Sequence, residues 1–336
     1  MHRLRYGILL GIMILLLSAC GKKEETLSFF SMDTYMSLRA YGCEGALLQE
    51  LKQEVEQLES TLSVTRPGSE IYRLNEAGAL QNPAPPLREL AEKAMQLGQE
   101  TEGALDVTLY PLVKEWGFPS KEYRIPAPER IRQLRELVDF RRIQLSPEAI
   151  HLAEGMALDL GSIAKGYTGD RLAARLREAG VKHALLDLGG NIQTIGSKPD
   201  GKPWQIGIRN PEGQDYLGVV SVRDMAVITS GGYERHFIGE DGKDYWHILD
   251  PATGYPAESG FKSVTVIGPE GWRCDGLSTA LFVMGPEKAR QYWLQHRDFD
   301  LVLLTEEGRV IITEGLRDSF QLSAGSAAPL EVWTLP

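Results

Sequence analysis

Cysteine is scarce, with three in 336 residues. None belongs to a Cys-x-x-Cys pair and no Cys/His cluster occurs, which argues against a structural zinc site. Neither a Rossmann glycine fingerprint nor a P-loop is present. No period suggests a repeat protein, no linker is long enough to separate independent domains, and no cluster supplies the carboxylates of an all-protein Ca²⁺ cage. Positive charge is also in deficit: 36 Lys and Arg face 46 Asp and Glu, a net charge of −10. A chain of that sign suits no nucleic-acid partner. A phosphate ligand would have to be held by backbone amides, a few placed cations or a metal. With 43% hydrophobic and 24% charged residues, the chain is globular, neither disordered nor collagen-like, and long enough for one large domain or two smaller ones.

The N-terminus has the order of a secretory signal. Arg3 and Arg5 precede an almost wholly apolar run from Ile8 to Leu17, and Leu17-Ser18-Ala19-Cys20 follows. The run is short for a membrane span. Leu-Ser-Ala-Cys is similar to a bacterial lipobox, whose Cys takes a diacylglycerol and becomes the new N-terminus; the alternative is an uncleaved anchor with a chance Cys20. The expected division is a signal peptide over 1–19, a lipidated polar tether over 20–26 and a catalytic body over 27–336. That places the protein at a cell membrane, lipid-anchored and facing the extracytoplasmic side. Cys43 and Cys274 remain, either as a disulfide or as two unpaired buried thiols.

Apolar spacing outlines the body. Residues 27–41 read as a strand with a turn. Leu48, Leu51, Val55, Leu58 and Leu62 give an amphipathic helix over 46–62. Further helices are expected at 87–99, 128–137, 164–179 before Gly180, 276–283 and 287–295. Short strands are expected at 142–145, 150–152, 184–187, 192–195, 204–208, 219–222, 226–229, 263–267, 301–304 and 310–313. The expected fold is a compact α+β body, in one piece or two lobes.

Five segments combine glycine with acid, hydroxyl or amide side chains beyond the needs of a core. In Leu158-Asp159-Leu160-Gly161-Ser162-Ile163-Ala164-Lys165-Gly166-Tyr167, free amides at a helix start suit a phosphate or carboxylate, while Asp159 or Ser162 serves equally as a plain cap. Asp187-Leu188-Gly189-Gly190-Asn191 brings backbone to a ligand or turns the chain. Residues 229–235, Thr-Ser-Gly-Gly-Tyr-Glu-Arg, form a hydroxyl-rich loop or a hairpin turn. His247, three residues before Asp250 in a Pro/Gly turn, is structural or a base near neutral pH. In Cys274-Asp275-Gly276-Leu277-Ser278-Thr279-Ala280, a helix from about Gly276 puts the Asp275 carboxylate and the Thr279 hydroxyl on one side. With a backbone carbonyl these are hard oxygen ligands, suited to Mg²⁺ that keeps phosphate oxygens in its shell. The competing reading makes Asp275 an N-cap.

The order of these segments is more specific than any one of them. The chain resembles the FAD:protein FMN transferase (ApbE) family of flavin-transferring lipoproteins. The resemblance runs from Ser31-Met32-Asp33-Thr34 through Arg66-Pro67-Gly68-Ser69-Glu70-Ile71-Tyr72-Arg73-Leu74-Asn75, Gly103-Ala104-Leu105-Asp106-Val107-Thr108, 159–166, 187–191 and 247–254 to 275–285. It implies an enzyme that splits FAD, releases AMP and attaches FMN by a phosphodiester bond to a Thr or Ser of an acceptor, with Mg²⁺ as cofactor and FAD as substrate. It further implies that Met32, Asn75, Leu105, Asp106, Val107, Asp159 and His247 contact FAD, and that Asp275, Thr279 and the Ser278 backbone hold the metal with a carbonyl from either Ser162 or Ala164. His247 is the base the resemblance favours, with Asp275 as its rival. Many members carry Tyr where this chain has Thr65, so an aromatic contact is missing or comes from elsewhere, Tyr72 being one candidate.

The implied partners are FAD, an acceptor flavoprotein with an Asp-x-x-Ser/Thr-Gly-Ala-type motif, such as a subunit of a membrane redox complex, and the membrane through the lipid. This chain has no such acceptor stretch, so self-flavinylation is not expected. Two rival functions remain at this stage: a FAD pyrophosphatase giving FMN and AMP, and a non-catalytic FAD-binding lipoprotein.

Overall fold

The structure is a computed structural model that describes residues 23–213, 215–324 and 328–335. The signal peptide, Cys20 and the start of the tether lie outside the described residues. Residues 24–26, read from the sequence as tether, are already the first residues of strand Glu24–Ser31, because Thr26 and Leu27 pair with Arg39 and Leu38 across a hairpin.

A nine-stranded sheet organises the molecule. Its spatial order is Glu24–Ser31, Thr34–Tyr41, Ala184–Leu188, Ile192–Ile195, Ala226–Gly231, Phe261–Gly268, Asp300–Thr305, Val310–Thr313 and Leu330–Trp333. Neighbours run antiparallel except the last pair, which is parallel. Side chains alternate between faces. Ile228, Val264, Val266, Leu301, Leu303 and Ile311 enter the core under the helices. Val227, Ile267, Val302, Leu304, Val310 and Ile312 enter a second core, roofed by a three-stranded sheet of Phe320–Leu322, Tyr216–Val222 and Trp204–Arg209. Both faces are covered, so the central strands read as apolar runs. One sheet carries the whole body, the single-piece alternative of the α+β expectation.

Helix Gly45–Leu62 forms as its spacing predicts, with Leu48, Leu51, Val55, Leu58 and Leu62 buried. Each such burial is worth about 1.5–3 kcal/mol. Glu70–Ala77 is a helix that the sequence did not signal; Ser69 caps it by accepting the Tyr72 N–H at 3.0 Å, and Gly78 ends it at φ 70°. Pro85–Glu100, Pro128–Arg135 and Gly161–Glu178 match expected helices, the last starting three residues early. The two helices expected at 276–283 and 287–295 are one element, Gly271–His296, interrupted at Gly285 (φ 74°, ψ 175°) before Pro286. It starts five residues before the expected Gly276. Asp275 therefore lies inside the helix and is not its N-cap. Cys43 and Cys274 are unpaired thiols, and among the described residues no helix is long and apolar enough to cross a membrane.

The crossing of Gly161–Glu178 and Gly271–His296 positions the site described below. A Cβ on Gly166 would meet the Gly271 carbonyl oxygen at 2.1 Å, and one on Gly271 would meet the Gly166 oxygen at 2.6 Å. Those obstacles are backbone, so neither can swing aside. Gly166→Ala is expected to force the helices apart at a cost of about 1–3 kcal/mol, the range for overpacking, read as a lowered urea midpoint; an unchanged midpoint would show that the crossing is slack.

Candidate active site

The turn before helix Gly161–Glu178 is built by long-range ties. Asn75 Nδ2 donates to the Leu158 carbonyl at 2.9 Å, and its Oδ1 accepts the Leu158 N–H at 2.7 Å. The Asp159 N–H donates to the Val107 carbonyl at 2.8 Å. Asp159 Oδ1 then accepts the Gly161 N–H at 2.8 Å, so the capping reading holds for one of its oxygens. Burial raises its pKa above the ordinary carboxylate value, against the pull of the Gly161 N–H, Arg235 and Lys165.

Several residues that the family resemblance assigns to FAD are occupied otherwise. Both ends of the Asn75 amide bind Leu158. Asp106 Oδ1 accepts the Thr108 N–H at 2.8 Å and its hydroxyl at 2.5 Å, and Oδ2 accepts the Phe140 N–H at 3.0 Å. Leu105 and Val107 side chains are in the core. Val107 and Asn75 tie the turn at Leu158 and Asp159 in place. Near Thr65, the Tyr110 hydroxyl donates to the Val64 carbonyl at 3.3 Å, and its pKa is raised by burial and then by Asp159.

At the helix crossing, Asp275 is buried and its Oδ2 accepts the Gly166 N–H at 2.8 Å. No hydrogen bond of standard geometry reaches Oδ1. Burial raises the Asp275 pKa, opposed first by Lys165 and also by neighbouring amides that include Asn191. Asn191 is itself buried and its Nδ2 completes no hydrogen bond. It is delivered by the Asp187–Asn191 turn, where Gly189 (φ 72°) passes Thr34 so closely that a Cβ would meet its hydroxyl at 2.0 Å. One turn after Asp275, Ser230 joins the Ser278 hydroxyl at 2.8 Å and the Thr279 hydroxyl at 3.2 Å, and Ser278 donates to the Asp275 carbonyl at 2.8 Å.

This donor set fits a hard cation. Asp275 supplies one carboxylate and Thr279 a hydroxyl on the same helix face. Of the two carbonyl candidates, Ala164 already accepts the Thr168 hydroxyl at 2.7 Å. The Gly166 N–H, one turn after Ser162, donates to Asp275, and the Ser162 and Ala164 carbonyls both stay candidates. Among the described residues no three His, Cys, Asp or Glu side chains gather. A cation held here therefore needs oxygens from its ligand, which is the habit of Mg²⁺ on phosphates.

His247 is half-buried beside these groups. Its Nδ1 lies 3.2 Å from the Arg235 carbonyl, so a neutral ring donates there and leaves the Nε2 lone pair free. Burial, then Arg235, with Lys165 adding to both, pushes its pKa down to about 4. An aromatic wall with Phe118, its ring 6.3 Å away, stands behind it. Arg235 also pairs with Asp33 at 3.1 Å. Asp33 and Met32 form the tip of the first hairpin, both in left-handed backbone (φ 58° and 50°), and Met32 Sδ packs 3.8 Å from the Thr168 hydroxyl oxygen. Met32, Asp159, His247, Asp275 and Thr279 are thus assembled around Lys165 and Arg235. Lys165 acts on Asp159, His247 and Asp275 alike and has no ion-pair partner among the described residues. Lys165, Arg235, Asn191 and Ser230 were not assigned roles from the sequence, although all lie in the glycine-bearing segments; a lone helical Lys ordinarily reads as solvated surface.

The model of the ApbE family matches residues 32–303. A FAD:protein FMN transferase of Treponema pallidum is 35% identical over 297 residues, covering 81% of each chain. One from Haemophilus influenzae is 33% identical over 311 residues, covering 86% of this chain and 89% of that relative. The crystal structure of an ApbE protein from Thermotoga maritima superposes with a TM-score of 0.82 at 28% identity, covering 87% of this chain and 98% of that one. The apo flavinyl transferase ApbE of Pseudomonas stutzeri gives 0.78 at 30% identity, covering 90% and 99%.

The ties of Asn75 carry a prediction of their own. Asn75→Ala leaves the Leu158 N–H and carbonyl unpartnered and is expected to cost about 1–3 kcal/mol. Asn75→Asp restores the acceptor but not the donor and should recover only part of it. Chemical denaturation reads both; two variants as stable as the parent would mean that the amide does not hold this turn.

Proposed function

The chain belongs to the ApbE family, and from that premise we propose that it is a Mg²⁺-dependent FAD:protein FMN transferase. The observation that carries the reading is the convergence of a half-engaged carboxylate (Asp275), a hydroxyl on the same helix face (Thr279) and an unpaired ammonium (Lys165) at a helix start. That is a site for a dianionic linkage between two phosphates. The names of the relatives supply the substrate.

Asp275 Oδ1, the Thr279 hydroxyl and the Ser162 or Ala164 carbonyl would hold the ion. An ion bound there would offset the charge of the pyrophosphate and polarise phosphorus. Lys165 and Arg235 meet the remaining phosphate charge, and the unpartnered Asn191 Nδ2 finds an oxygen acceptor. Alignment and charge stabilisation dominate such transfers. The acceptor Thr or Ser oxygen bonds to the FMN-side phosphorus as the bond to the AMP oxygen breaks, AMP departs with the electron pair, and the acceptor proton goes to His247 Nε2. His247 suits this better than Asp275, whose Oδ2 is tied to Gly166. The lipobox-like Leu17-Ser18-Ala19-Cys20 supports a lipid-anchored enzyme at the extracytoplasmic face, close to a membrane-bound acceptor.

The soluble form incubated with FAD, Mg²⁺ and an acceptor bearing an Asp-x-x-Thr-Gly-Ala motif should give a fluorescent acceptor band. Asp275→Ala should lower the rate about a hundredfold or more, as loss of a main electrostatic stabiliser does. Free FMN and AMP released at full rate without acceptor would instead favour a pyrophosphatase, and intact FAD under every divalent ion would defeat both.

A pH profile checks the base. His247 is depressed in the free protein, so it stays neutral until pH falls to about 4. The acid limb of kcat/KM should lie near there and not near 6.5. Bound pyrophosphate offsets Lys165 and Arg235, so the acid limb of kcat should lie higher. A kcat/KM limb at 6.5 would remove His247 from the role.

A further inference from the structure

Helix Gly271–His296 begins without a cap of its own. Glu270 precedes it in extended backbone and its side chain makes no capping bond. The cap comes from the neighbouring helix. Asp170 Oδ1 accepts the Gly271 N–H at 2.7 Å, and Oδ2 accepts the Trp272 N–H at 2.8 Å. Gln193 Nε2 steadies Oδ1 from the sheet at 3.2 Å. Asp275 returns the bond by accepting the Gly166 N–H.

The exchange has a sequence form. Gly166-Tyr167-Thr168-Gly169-Asp170 and Gly271-Trp272-Arg273-Cys274-Asp275 are both Gly-x-x-x-Asp. Residues four apart share a helix face, so each helix offers one glycine for close approach and one carboxylate for the other's backbone. The two carboxylates then differ. Asp170 spends both oxygens on the first turn of the other helix. Asp275 spends one oxygen on the Gly166 N–H, and among the described residues its other oxygen accepts no hydrogen bond of standard geometry.

We infer that Asp170 is a positioning residue for the reaction: by clamping the first turn of helix Gly271–His296 against helix Gly161–Glu178, it fixes where the second oxygen of Asp275 and the hydroxyl of Thr279 stand. The inference rests on the reading above that these two groups hold the ion. A carboxylate that only stabilised the fold would lower stability when removed and leave the ion requirement alone. Asp170 instead acts one turn from the donor atoms, through backbone whose glycines allow no alternative spacing.

The test uses the soluble protein and its Asp170→Ala and Asp170→Asn variants. Hydrogen exchange is measured without FAD or metal, and FAD cleavage is titrated with Mg²⁺. In Asp170→Ala, amide exchange should rise at 271–272 and also at Gly166, the far side of the clamp. The Mg²⁺ concentration for half-maximal cleavage should rise about tenfold to a hundredfold, the usual effect of losing a group that orients a ligand. The rate at saturating Mg²⁺ should fall far less. Asp170→Asn, which keeps one of the two oxygen acceptors, should recover part of both effects and serves alone if the alanine variant does not fold. Asp300→Ala, which removes a half-buried partner of Thr313 away from the crossing, is the control: it should lower stability and leave the Mg²⁺ midpoint in place. An unchanged midpoint or an unchanged Gly166 exchange in Asp170→Ala overturns the inference. A parent protein that cleaves FAD equally well in a chelator overturns the functional reading, and with it the role given to Asp170.

Discussion

The site depends on how closely two helices cross. Gly166 and Gly271 bring the backbones of Gly161–Glu178 and Gly271–His296 together, and at that separation a carboxylate from each reaches an N–H of the other. Desolvation alone would push Asp275 toward its neutral form. The backbone bond and Lys165 hold it back, and a bound cation would complete the balance. The sheet brings the rest to the same place. Strand Ala226–Gly231 supplies Ser230 beneath Ser278 and Thr279, and the turn at Gly189–Gly190 brings Asn191 beside Asp275.

An acidic protein can host an anion because charge is local. The net charge of −10 is spread over the chain, whereas Lys165 and Arg235 face the same few groups. Their effect is visible in opposite shifts of one cause: burial raises Asp159 and Asp275 and lowers His247, while Lys165 opposes the first pair and reinforces the last, joined by Arg235 at Asp159 and His247. Among the described residues the ion pair of Arg235 is an exposed one with Asp33, an interaction worth about 0–1 kcal/mol, so an arriving phosphate can take it over at little cost. Lys165 favours the charged forms of Asp159 and Asp275 without an ion pair to break.

What the sequence made legible was whatever local pattern encodes. Helix Gly45–Leu62 follows its apolar spacing, and the central strands follow their β-branched runs. The early start at Gly271 was hidden because its cap, Asp170, lies 101 residues earlier, and capping rules look only at neighbours. Asn75 and Asp106 entered through the family resemblance, and their partners, Leu158 and Phe140, are 83 and 34 residues away. The sequence marks such residues as constrained without saying whether backbone or ligand does the constraining. Asp275 and Thr279 were found through their spacing on one helix face and the order of the glycine-bearing segments, a pattern of side chains that does not choose between the Ser162 and Ala164 carbonyls.

The hairpin tip shows how the cleft has two sides of different character. Met32 and Asp33 both occupy left-handed backbone, which glycine or asparagine would take more readily. Such strain persists only where surrounding structure over-determines it. Here Met32 Sδ packs against Thr168 of helix Gly161–Glu178, and Arg235 holds Asp33 from the His247 side. The tip therefore bridges the glycine-spaced helices and the loop wall that carries His247, and of its two attachments the Arg235 pair is exposed. In the transferase reading proposed above, a dinucleotide would need the first side fixed to align its phosphates, and an acceptor would need the second to yield so that its hydroxyl reaches phosphorus. A turn packed against the first side and joined to the second by an exposed ion pair would meet both demands.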